Sequence, residues 1–151
     1  MGFENFSFER IKKEKMITFE KAVIEEFIEC KNKLPEELKK YLTSYTGEQA
    51  VEYGINFYLS TDKNTGFGLK DGCELVNAFS LEKGHGRYSV LQAIRLGARR
   101  LDCFDKQIGQ AKGLVEYYSQ FGFKEVKRIP NWVQGEPDVV YMELVLKNKE
   151  S

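Results

Sequence analysis

No stretch of this chain approaches the roughly 18 consecutive apolar residues of a membrane-spanning helix, and its first residues lack the apolar core of a signal peptide. Met1-Gly2 is compatible with a myristoyl anchor, but Phe6 stands where that signal needs Ser or Thr, and Ser7 comes one place late. The expectation is a cytoplasmic protein with no membrane partner. An excess of one charge is missing too: Lys plus Arg and Asp plus Glu number 23 each, so no net field draws the chain to nucleic acid. Cysteine is scarce. Cys30, Cys73 and Cys103 lie inside apolar patterns without ligand spacing, which predicts reduced thiols and no metal. Internal repeats, low-complexity tracts and linkers are absent, so the 151 residues, 42% of them hydrophobic, are expected to bury one core as a single domain, 1–151.

What is present centres on Cys73 to Asp105. An apolar run is followed by a tight loop with Gly84 and Gly86, an amphipathic helix from about Arg87 to Ala98, and a second short strand. Two strands joined by such a helix are normally parallel neighbours with a right-handed crossover, which places the loop and the helix start at the carboxyl edge of the first strand. Backbone N–H groups converge there, so the loop is a candidate phosphate site. Lys83 and Arg87 can add charge-assisted contacts, and His85, the one histidine, lies between the glycines.

Around this unit, Asn5 to Ile11 alternates as a short strand would. From Thr18, as N-cap, Phe19, Val23, Ile24, Phe27 and Ile28 repeat at helical spacing. Pro35 suits the first position of a second helix with Leu38, Tyr41, Leu42 and Tyr45, which Gly47 can close. Ile55 to Thr61 and Gly66 to Lys70 read as strands around an Asp62 to Thr65 turn, and Asp71-Gly72 signals a hairpin into Cys73. Later come a helix with Leu114, Val115, Tyr118 and Phe121 ending at Gly122, then strands Phe123 to Ile129 and Val139 to Leu146, separated by a loop holding Trp132. The fold class is α/β in the broad (α+β) sense: a mixed, mostly antiparallel sheet of six to seven strands with helices on both faces. Three parts follow: 1–50 with a strand and two helices, 51–105 with the central strands and loop, and 106–151 with the late helix and last strands.

In this order of elements, in KGHG at Lys83 to Gly86, and in YYSQFGF at Tyr117 to Phe123, the chain resembles the GCN5-related N-acetyltransferase superfamily. The glycine loop is similar to that family's pyrophosphate loop, although Leu81 replaces its usual Gln or Arg. The late helix is similar to the signature in which a Tyr, here Tyr118, precedes Gly-Phe by four residues; Ala111 replaces the Asn often found earlier. The resemblance implies the acyl-CoA N-acyltransferase fold, acetyl-CoA as donor, and direct transfer of the acetyl group to an amine of a small molecule or peptide. It implies that Ala78, Phe79 and Ser80 pair with the pantetheine arm, that the loop from Lys83 to Tyr88 holds the diphosphate, and that Tyr118 protonates the leaving thiolate. A phenol of ordinary pKa about 10 suits that task. It also implies Glu74, four residues before Ala78, as a candidate base, and an acceptor pocket bordered by the N-terminal helices and the Trp132 loop. Trp132 is placed to stack on an acceptor or attract its cationic amine, and Asp102 and Asp105 to orient it. Two alternatives remain: a non-catalytic acetyl-CoA-binding or protein-interaction module, and a Rossmann-type S-adenosylmethionine enzyme with Asp102 as its acidic residue.

Overall fold

A computed structural model describes residues 17–40, 42–105 and 113–146. The strand expected at Asn5 to Ile11 lies outside the described residues, as do Tyr41 and Ala111. Seven strands build a mixed sheet with helices, an α/β architecture as expected. Among the described residues two compact units are distinguishable, 17–99 and 100–146.

The first unit runs β1 (Phe19–Ala22), α1 (Ile24–Lys31), α2 (Glu36–Lys39), α3 (Gly47–Glu52), β2 (Ile55–Ser60), β3 (Thr65–Lys70), β4 (Glu74–Ser80) and α4 (Gly86–Leu96). Strands β1 to β4 form a continuous antiparallel set. That set rules out the Rossmann alternative, which needs parallel strands from its start. The helix expected from Thr18 begins six residues later. Phe19–Ala22 instead pairs with Phe57–Ser60, and the Phe19 ring lies 5.5 Å from Phe67. Spacing alone could not separate these outcomes, because a Phe followed four places later by Val fits either period; the unpaired edge of β2 decides it. Helix α1 then buries Phe27 against Phe57 and Phe79, at 4.5 and 5.3 Å between ring centroids.

Gly47 opens a helix rather than closing one. Thr46 and Gln49 form a reciprocal capping box, with Thr46 Oγ1 accepting from the Gln49 N–H at 3.1 Å and Gln49 Oε1 accepting from the Thr46 N–H at 3.0 Å. The Thr-x-x-Gln signal was present in the sequence and outweighs the glycine. The hairpin at Asp71-Gly72 forms as expected, with φ of 54° and 74° and the Cys73 N–H donating to the Lys70 carbonyl at 3.1 Å. Helix α4 is seated by buried hydroxyls: Thr65 Oγ1 donates to the Phe79 carbonyl at 2.7 Å and lies 2.6 Å from Ser89 Oγ. This bond ties the start of the helix to the end of β4, which sets the loop between them.

The second unit contains β5 (Arg100–Phe104), α5 (Leu114–Ser119), β6 (Phe123–Ile129) and β7 (Val139–Leu144). Strand β7 is central and antiparallel to both neighbours. Leu101, Phe121, Phe123, Val140 and Met142 are its buried core. Helix α5 packs through its aromatic side, with Tyr117 5.3 Å from Phe121 and Tyr118 6.3 Å from Phe123.

Candidate active site

In the first unit, the last half of β4 is bent by a bulge. Gly66 pairs with Phe79 and Gly68 with Val76, so Asn77 and Ala78 together face Phe67. Asn77 takes φ of 54° to do so and is buried. Asparagine is one of the few non-glycine residues that enters this region at modest cost, and a bulge re-aims the strand and interrupts its ladder. Ala78, Phe79 and Ser80 follow directly. The strand stops at Ser80, whose hydroxyl donates to the Glu82 carbonyl at 2.6 Å and accepts from the Glu82 N–H at 3.2 Å.

The loop then turns through Gly84 at φ of 84°, and the His85 N–H donates to the Glu82 carbonyl at 3.2 Å. Gly86 begins α4. The N–H groups of Gly84 and Gly86 have no protein acceptor among the described residues, as expected for donors at a helix start. Arg87 folds back over the loop: one guanidinium nitrogen donates to the Gly84 carbonyl at 2.7 Å and the other to the Tyr88 hydroxyl at 2.9 Å, with the group 4.6 Å from the Tyr88 ring. Lys83 projects into solvent. The loop therefore offers two backbone donors and one ordered cation at a helix start, the composition of an anion site. Its glycines differ in kind. Gly84 is required by its backbone angle, whereas Gly86 is not among the positive-φ residues and any side chain could adopt its conformation.

Glu74 begins β4 and pairs with Lys70, four residues, or about 13 Å of extended chain, before Ala78. Four-residue spacing puts two side chains on one face only in an unbroken strand. The bulge at Asn77 breaks that alternation, so spacing does not set Glu74 on the face of Ala78.

In the second unit, Tyr118 occupies α5. Its side chain keeps a little surface, yet burial dominates its acidity and holds the phenol well above its ordinary value, with Tyr117 and Cys103 adding to the shift. The hydroxyl makes no hydrogen bond with the described residues. Cys103 is pushed up to about 12, chiefly by burial and then by Asp102 and Asp105.

Asp102 and Asp105, expected to act together, separate. Asp102 lies opposite Tyr141 and Cys103 opposite the buried Val140, so Asp102 faces away from the core side. Asp105 follows β5; its N–H donates to the Asp138 carbonyl at 2.9 Å and its carboxylate accepts from Arg128 at 2.6 Å. Arg128 also binds Asp138 at 3.2 Å and both oxygens of Glu125 at 2.9 Å. These hydrogen bonds hold its guanidinium above its ordinary range. Trp132 is 85% exposed in the loop between β6 and β7, which Asn131 braces by donating to the Pro137 carbonyl at 3.1 Å. A Trp so exposed seals no sheet edge.

No protein-family model and no curated protein matches the sequence. Solved structures do. A GCN5-related N-acetyltransferase from Rhodopseudomonas palustris superposes with a TM-score of 0.59 at 14% identity, over 87% of this chain and 97% of its own. The fold is that of the GCN5-related N-acetyltransferases. An N-acetyltransferase from Staphylococcus aureus Mu50 gives 0.56 at 14% identity, covering 86% and 97%. YncA from Salmonella typhimurium, whose structure includes its cofactor acetyl-CoA, gives 0.55 at 13% identity, covering 89% and 96%. At these identities the likeness is one of fold, and function has to be argued from the residues.

Proposed function

We propose that this chain is an acetyl-CoA-dependent N-acetyltransferase that passes the acetyl group directly to an amine. The observation that carries the reading is the loop between β4 and α4, where the Gly84 and Gly86 N–H groups, a helix start and the ordered Arg87 guanidinium present an anion site directly after a bulged strand. In an acetyltransferase fold, that loop takes the diphosphate of the donor, and Ala78 to Ser80 take the pantetheine arm. The amine nitrogen attacks the thioester carbonyl, the carbon–sulfur bond breaks, and the leaving thiolate receives a proton. Tyr118 is the candidate to supply that proton: its phenol is protonated throughout the physiological range, and burial, by raising its pKa, also makes it a weaker acid than an ordinary phenol. The ammonium of the acceptor must lose a proton before attack, with Glu74 the candidate to take it. Trp132 offers an exposed ring to a cationic acceptor.

Isothermal titration with acetyl-CoA, followed by thiol-release assays over a panel of amines, tests this reading. Binding with turnover on at least one amine supports it. Binding without turnover would favour a non-catalytic acetyl-CoA module, and absence of binding would remove the function altogether.

A further inference from the structure

Beside the phosphate loop, the turn between β2 and β3 and the segment leading into α4 bring together Asp62, Glu82 and His85. One potential ligand atom from each lies within 4.8 Å of the other two. Both carboxylates are held by one oxygen. Asp62 Oδ1 accepts from the Ser60 hydroxyl at 2.6 Å and from the Asn64 N–H at 3.0 Å, while Glu82 Oε1 accepts from Asn64 Nδ2 at 3.3 Å. Ordering one oxygen from behind while the other faces a shared point is how outer residues orient carboxylate ligands.

The imidazole supplies an independent observation. His85 Nε2 lies 3.5 Å from Glu82 Oε2, and Nδ1 is buried with no hydrogen-bond partner. Nε2 is thus the nitrogen turned toward Glu82 and the candidate ligand atom, while Nδ1 is the buried group left without a partner among the described residues.

We propose that Asp62, Glu82 and His85 form a binding site for one divalent transition-metal ion of the zinc type. Two oxygens and an imidazole nitrogen suit zinc better than calcium or magnesium, which favour all-oxygen sets. Ligands about 2.1 Å from a tetrahedral ion stand roughly 3.4 Å apart, so modest side-chain rotation closes the present spread onto one ion. The ion has a further consequence that rests on the acetyl-CoA reading: Asp62 and Glu82 border a loop assigned to a diphosphate, and a bound dication turns their opposition into attraction. The three Cys positions gave no hint of this site, because its ligands include no cysteine and Asp62 lies 20 residues before Glu82 on a separate turn.

The test begins with protein dialysed against chelator. Zn²⁺ titrated calorimetrically should bind at one site, and Co²⁺ should give the intense visible absorption of a low-coordinate ion. Asn64→Ala, which removes the amide that braces Glu82 and also bonds to Asp62, should weaken Zn²⁺ about 10- to 100-fold. The Asp62→Asn, Glu82→Gln, His85→Ala triple variant, with its fold checked by circular dichroism, should lose the site, while Glu48→Gln should retain it. Equal Zn²⁺ affinity in native and triple-variant protein would overturn the proposal, as would a Co²⁺ spectrum like that of the aqueous ion. Acetyl-CoA affinity should rise with Zn²⁺. If Zn²⁺ binds and acetyl-CoA does not, the metal site stands and the acetyltransferase reading falls.

Discussion

Gly86→Ala should weaken acetyl-CoA while leaving the fold at least as stable as before. Gly86 is the first residue of α4 and has an ordinary backbone conformation. Within a helix, Ala is favoured over Gly by about 0.5–1 kcal/mol, and less at the first turn. For a chain of this size each kcal/mol moves Tm by about 2–4 °C, so the melting point should hold or rise by up to about 3 °C. Its backbone angle does not require glycine, and under the proposed reading the missing Cβ lets the diphosphate approach closely. A Cβ that displaces one charge-assisted hydrogen bond to the diphosphate forfeits about 1.5–3 kcal/mol. That loss corresponds to roughly a 10- to 150-fold higher Kd.

Gly84 makes the complementary case. Its φ of 84° costs a side chain about 1–2 kcal/mol whatever the surroundings. An added Cβ would meet only the Arg87 guanidinium at 3.7 Å, an ordinary contact, so the strain lies in the backbone. Gly84→Ala should lower Tm as well as affinity, and Gly84→Val should lower both further. Gly84→Asn should recover much of the stability, because Asn tolerates positive φ. His85→Ala, measured with chelator present, leaves the backbone donors intact and should change affinity far less. Calorimetry with acetyl-CoA beside thermal melts reads all of these variants. A native Kd in Gly86→Ala, or equal losses in His85→Ala and the glycine variants, would refute the claim that the loop acts through its backbone.

Three other outcomes are expected. Tyr118→Phe keeps the ring and removes the proton, so kcat should fall about 10- to 100-fold with acetyl-CoA affinity and Tm unchanged; unaltered turnover would return Tyr118 to packing alone. Trp132→Ala should raise the acceptor KM and leave Tm within about 1 °C, since a side chain 85% exposed contributes little to the core; earlier melting with native KM would contradict the acceptor role. Cys103, pushed up to about 12 from 9.0, has roughly a thousandfold smaller thiolate population at pH 8 than an ordinary thiol, so iodoacetamide should modify it that much more slowly by mass spectrometry. The sign follows from the raised value: below pH 9 the thiol is protonated in folded and unfolded protein alike. Above pH 9 the unfolded chain ionises first, so Cys103 disfavours folding increasingly as pH rises toward 12.

The elements that sequence pattern located well were those whose partners are near in the chain. The Asp71-Gly72 hairpin, the Phe123–Ile129 strand and the central helix follow from local turn chemistry and periodicity. Phe19–Ala22 was misread because its conformation depends on a bond ladder to Phe57–Ser60, some forty residues away, and local period cannot express that. Gly47 was misread for the opposite reason. A local signal, the Thr46-Gln49 box, was available and the glycine was given more weight.

The site residues divide along the same line. Gly84, Gly86 and Arg87 are legible because an anion loop is a short local object, and its glycine spacing is the chemistry. Asp102 and Asp105 are close in sequence, but Asp102 sits within β5 opposite Tyr141, while Asp105 follows the strand and is bound by Arg128. Asn77 was missed entirely, although an Asn inside the run Leu-Val-Asn-Ala-Phe is a local oddity: a buried polar residue among strand formers that also tolerates positive φ. Its role became visible only with the register, which shows two residues of β4 set against Phe67. That bulge re-aims Ala78 to Ser80. The groups of the donor loop are ordered by bonds within one loop, whereas Glu74 was assigned by resemblance to the acetyltransferases, and strand alternation adds nothing to that assignment across the bulge.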